Sequence, residues 1–123
     1  MNKVKYFKVY LFFFGTLNVL TAFSIPLLLG NQLLWHPRNL PTELMVGSLY
    51  FALGIVMLLV FKTPMKHKAF IGFIIIGNIL HGIIMVVYAQ NLSHIVIDVS
   101  FIGSMGLIPL ILYPWGLKAF LRY

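Results

Sequence analysis

Four stretches of this chain, each about 20 residues long, contain no lysine or arginine, and that is the length a helix needs to cross a bilayer core about 30 Å thick. They run from about Val9 to Leu29, Thr42 to Phe61, Ala69 to Ala89 and His94 to Tyr113. Within them, runs such as Ile71 to Ala89 are apolar on every side and lack the strict alternation of a barrel strand. Apolar residues make up 61% of the chain and charged residues 9%, where a soluble domain carries about 25% charged residues. That balance excludes a water-soluble globule, a disordered chain and a fibre. The connections, Gly30 to Pro41, Lys62 to Lys68 and Gln90 to Ser93, are short enough to make sequential helices antiparallel neighbours. The expected fold is therefore all-α, an antiparallel bundle of four transmembrane helices forming one domain over residues 1–123. The Lys-rich start followed by Ala22-Phe23-Ser24 has the look of a cleaved secretory signal. The apolar run continues through Ile25 to Leu29, however, so a retained span with a kink at Pro26 is expected instead.

The few cations are distributed unevenly. Lys3, Lys5 and Lys8 precede the first span, Lys62, Lys66 and Lys68 fill the second connection, and Lys118 and Arg122 follow the fourth span. With four spans, these eight share one side and Arg38 alone lies on the other, which predicts both termini in the cytoplasm of a multi-pass inner-membrane protein. Facing the anionic inner leaflet accounts for the basic balance without nucleic acid as a partner. Trp35, Trp115, Tyr6, Tyr88 and Tyr113 fall near span ends, as interfacial anchors do. The absence of cysteine excludes disulfides, thiolate metal sites and thiol redox chemistry.

The two acids, Glu43 and Asp98, both fall near the outer ends of their spans. His94 precedes Asp98 by four residues and shares its helix face. On the second span Glu43, Gly47, Tyr50 and Gly54 form one stripe, and on the third Asn78, His81, Met85 and Tyr88 form another. His81 and Tyr50 lie roughly 12 Å below their outer ends and Asp98 about 6 Å below its own. The first span adds Asn18 and Thr21. Each residue alone has a structural explanation. His81 can lock helix packing by a hydrogen bond, Glu43 can sit in a first helical turn capped by Thr42, and Asp98 can pair with His94. His36 and His67 read as exposed loop residues. Together, though, ionisable groups inside spans mark a functional site.

No phosphate-binding glycine loop, nucleophile elbow or His-Glu-x-x-His motif occurs. The depth difference of about 12 Å between His81 and His94 argues against a bis-histidine haem. A small multidrug transporter carries its acid in the first span, which here has none.

Glu43-x-Met45, Tyr50-x-x-Leu53-Gly54, Pro64-x-x-His67, His81-Gly82-x-x-Met85 and His94-x-x-x-Asp98-Val99 together resemble the motifs of a family of short bacterial four-helix membrane proteins of unknown function, the BphX-like proteins. The resemblance covers about residues 40–100 and departs from the family in the hydrophobic Gly72-to-Leu80 stretch. It implies a bacterial inner-membrane protein in which these acids and histidines are characteristic, and it implies no established activity.

The expected function is an outward-facing polar pocket that binds a metal ion or a small cationic ligand through His81, His94 and Asp98, with Glu43 nearby and Tyr50, Asn78, Met85 and Asn18 lining it. Imidazole and carboxylate suit zinc, and Met85 one turn from His81 would suit cuprous copper. Two other classes stay open: a quinone-linked redox protein using Tyr50 and His81, and an assembly subunit whose polar residues only hold helices together. The sequence assigns no catalysed reaction, and a homo-oligomer is compatible with it.

Overall fold

The structure, a computed structural model, describes residues 3–29, 34, 37–89 and 92–112, with the side chains of all of these except 94, 98, 101 and 102. The described residues are almost entirely helical, and no strand occurs among them. Helix α1 spans Lys3–Ser24 and runs directly into a π-helical segment, Ile25–Leu29. Helix α2 spans Leu40–Val60. A 3-10 turn at Pro64–Lys66 leads to helix α3, Lys68–Val87. Helix α4 (Leu92–Asp98), a second π segment (Val99–Gly103) and helix α5 (Ser104–Leu112) then follow without a break.

Three of these helices, Lys3–Leu29, Leu40–Val60 and Lys68–Val87, are long and apolar enough to cross a membrane. Only 22–28% of an 18-residue apolar stretch in each is buried within the protein. Large side chains such as Leu20, Leu59, Phe73, Ile76 and Val87 lie exposed along them, a surface that only a lipid solvent makes favourable. The chain is thus a helical membrane protein. The expected run from His94 to Tyr113 is observed as three successive helical segments over residues 92–112, and Tyr113 lies outside the described residues, as do Trp35, His36, Trp115, Lys118 and Arg122. The first helix begins earlier than its uncharged stretch, at Lys3, because lysines at a helix end can lay their stems along it with the charge in the headgroup layer.

The structure divides into two compact units. One is Leu11–Phe61, a helical hairpin of α1 and α2. Its seam is made of small residues: a Cβ on Gly54 would stand 2.8 Å from the Gly15 carbonyl oxygen, and one on Gly47 would fall onto the carbonyl oxygen of Ala22. Gly15 and Ala22 are seven residues apart, as are Gly47 and Gly54. Two turns of each helix therefore meet backbone to backbone, antiparallel, the close approach by which membrane helices gain packing where lipid supplies no hydrophobic drive. The threonine hydroxyls of α1 are satisfied within the helix: Thr16 donates to the Phe12 carbonyl at 2.9 Å and Thr21 to that of Leu17 at 2.8 Å.

The other unit joins the first turns of α1, up to Tyr10, to the chain from Lys62 onward. Here α3 packs against α4, the second π segment and α5. Gly106 permits the closest approach, since a Cβ there would stand 2.9 Å from Ile79 Cγ1. Pro109 lies inside α5 and has no N–H for the carbonyl of Met105, four residues back. The Tyr10 hydroxyl donates to that carbonyl at 2.8 Å.

Candidate functional site

The connection of the hairpin unit, between the first π segment and α2, is held by one arginine. Arg38 donates from Nη2 to Glu43 Oε2 at 2.6 Å and from Nε to Oε1 at 3.3 Å, and Nη2 also reaches the Pro26 carbonyl at 2.7 Å. A cation thus sits at the carbonyl end of the first helical run and an anion at the amide end of α2, where the helix dipoles favour each. Hydrogen bonding to Glu43 raises the Arg38 pKa above arginine's ordinary value, and burial opposes this in part. The start of α2 is capped by Asn39 and not by Thr42. The Asn39 side chain accepts from the Thr42 N–H at 3.2 Å, and Glu43 Oε1 accepts from the Asn39 N–H at 3.2 Å. This reciprocal pair is a variant of the capping box with its acid one position later. Of the sequence-selected residues, Glu43 therefore already accepts three hydrogen bonds from two residues within its own unit.

Asn18 and Asn78 are both buried, and each is engaged. The Asn18 amide lies 3.8 Å from the sulfur of Met57 across the hairpin seam, and Asn78 donates to the Ile74 carbonyl of its own helix at 2.8 Å. Tyr50 is half-buried on α2 and takes part in a polar or aromatic interaction.

On α3 the buried side chains Ile71, Ile74, Ile75 and Asn78 recur at helical spacing, and half-buried His81 and Met85 continue the same stripe. Phe73, Ile76, Leu80, Ile83 and Ile84 occupy the opposite, exposed face. His81 is thus directed away from the lipid-facing side of its helix. It also has an interaction partner. Tyr88, expected on the same stripe, is exposed at the helix end, where the helical repeat gives way to a turn.

No family model, curated protein or solved structure matches this chain. What bears on chemistry is therefore the chain's own geometry. His94 lies in α4, and Asp98 is its last residue, immediately before the second π segment. The side chains of both lie outside those described. Among the described residues no three histidine or acidic side chains are grouped to hold a metal ion. His81, His94 and Asp98 belong to the same compact unit, and the helices that carry them pack together; Glu43 belongs to the hairpin.

Two features of these units were not legible as motifs. The role of Tyr10 could have been sought from Pro109, since an in-helix proline always deprives the carbonyl four residues earlier of its donor. The π segments had no comparable signal, although Pro26 within the first gives it a reason to form.

Proposed function

We propose that this is a four-span inner-membrane protein with both termini in the cytoplasm, whose unit built on α3, α4 and the second π segment binds a divalent cation through His81, His94 and Asp98. The observation that favours this reading is the five-residue π segment that starts directly after Asp98. A π turn widens the helix and disturbs its hydrogen-bond ladder, and such segments concentrate at functional sites because they re-aim neighbouring side chains. The stripe position of His81 supports the same reading, since its imidazole is directed away from lipid on a helix that packs against α4 and the π segment. The motif resemblance to the BphX-like proteins is part of this proposal and adds no activity to it. Two imidazoles and a carboxylate, with water as fourth ligand, make a set suited to zinc. In this reading Glu43 serves the hairpin's outer end beside Arg38, and Asn18 and Asn78 hold helices.

The test is metal content and zinc binding of the purified protein in detergent. Near one equivalent of bound zinc is expected, with His81→Ala and Asp98→Asn each weakening binding by more than tenfold while helical content is kept. Binding unchanged in both variants, or no saturable zinc binding by the wild type, refutes the site.

A further inference from the structure

The connection between α2 and α3 is a hydrogen-bonded turn with an open cavity on it. Lys66 N–H donates to the Thr63 carbonyl at 3.1 Å and His67 N–H to the Pro64 carbonyl at 3.0 Å, around a buried Pro64. Beside it lies a cavity of about 550 Å³ lined by Met65, Lys66, His67, Lys68, Ala69 and Phe70. Among the described residues its lining presents two ammonium groups and an imidazole and no carboxylate. A concavity so lined attracts an anion.

The volume is much larger than a small ion requires, since a water takes about 30 Å³. The cavity also sits at the foot of a membrane-length helix. From it rises an unbroken exposed apolar stripe on α3, namely Ala69, Phe73, Ile76 and Leu80, at helical spacing. Cations at the level where an apolar helix meets the headgroups, with an apolar track leading up from them, match a molecule that is anionic at one end and hydrocarbon at the other.

We propose that this cavity binds the headgroup phosphate of an anionic phospholipid, with Lys66 and Lys68 on the phosphate, His67 beside it, and an acyl chain along the Ala69–Phe73–Ile76 stripe. The site is independent of the cation site proposed above, and it assigns to one pocket a recognition that general basicity would spread over the whole surface.

The purified full chain in detergent is titrated with phosphatidylglycerol and, separately, phosphatidylcholine, and bound lipid is counted by native mass spectrometry. Phosphatidylglycerol should be preferred by at least tenfold. Lys66→Gln and Lys68→Gln should each lose roughly fivefold of that preference, the weight of one lysine near a lipid surface, and the pair more. Lys66→Arg with Lys68→Arg should keep it. Lys3→Gln with Lys5→Gln removes as much charge as the paired glutamine variant from residues that do not line the cavity and should change the preference by less than about twofold; the single variants decide the matter should the paired glutamine variant lose its helicity. Equal binding of the two lipids, or an equal loss in the Lys3/Lys5 control, overturns the proposal. Displacement of the lipid by inorganic phosphate alone at matching concentration also overturns it, because the apolar track would then contribute nothing.

Discussion

Tyr10 and Met105 are joined by a hydrogen bond of 2.8 Å, and Met105 is the residue whose carbonyl Pro109 leaves without a helical donor. Both residues are buried, Met105 completely. In an apolar surrounding an unmet carbonyl is costly, so the tyrosine hydroxyl ties the start of α1 to α5 where Pro109 supplies no N–H. Tyr10→Phe should lower stability by about 1 kcal/mol, in the range of polar contacts between membrane helices. Pro109→Ala restores an N–H four residues after Met105, so the double variant should lose less than the sum of the two. Unfolding by denaturing detergent measures all three, and strict additivity would show that the two groups do not share that carbonyl.

The seam of the hairpin is sensitive to a single methyl group. Gly47→Ala puts a Cβ onto the Ala22 carbonyl, which must move, at a cost of about 1–3 kcal/mol. Gly77→Ala is the matched control: it lies on α3 with nothing within 4 Å of an added Cβ, so it should be neutral or slightly stabilising through helix propensity. Thermal unfolding in one detergent should separate the two, and equal effects would mean that the seam does not form.

Arg38→Gln should lower the melting temperature by freeing both the Pro26 carbonyl and Glu43 from their shared donor, and Arg38→Lys should recover part of the loss because it keeps the charge without the fork. The pH dependence follows from the raised pKa of Arg38. A cation whose folded pKa is raised contributes stability that is full below its unfolded pKa and is lost only as pH rises through the folded value, far above neutrality. The difference between wild type and Arg38→Gln should therefore stay constant from about pH 6 to 9. A difference that vanishes within that window would contradict the assigned pair.

Metal addition offers a second reading of the cation site. Zinc at about a hundred times its dissociation constant should stabilise the folded protein by about 2.7 kcal/mol, and a chelator should reverse the gain. The shift should disappear in His81→Ala and persist in Met85→Leu. If Met85→Leu removes it instead, the ion is a soft one held through sulfur.

Orientation is checked by reporter fusions after His36 and Leu92, which should be active outside the cytoplasm if the cation bias governs insertion. Activity on the cytoplasmic side at either position would reverse the proposed topology.

The sequence by itself determined the solvent and the element type. Long apolar stretches without lysine or arginine cannot be covered by a chain this short, and in hydrocarbon a backbone must meet its own hydrogen bonds, so helices of membrane length followed from composition and spacing alone. The π segment containing Pro26 agrees with the expected distortion there, because a proline disturbs its helix wherever it falls. Which polar groups meet was a matter for the tertiary structure. Glu43 read equally well as a pocket ligand or a helix-start residue, and Arg38, five residues before it in a loop without periodicity, settled where its carboxylate points. Nothing within its own apolar run marks Tyr10 out, and its hydrogen-bond acceptor is the Met105 carbonyl, 95 residues away. Local pattern records what each segment needs from its solvent. Which donor completes which acceptor depends on helix register and crossing distance, set here by Gly15, Gly47, Gly54 and Gly106, and such distances are properties of the packed chain.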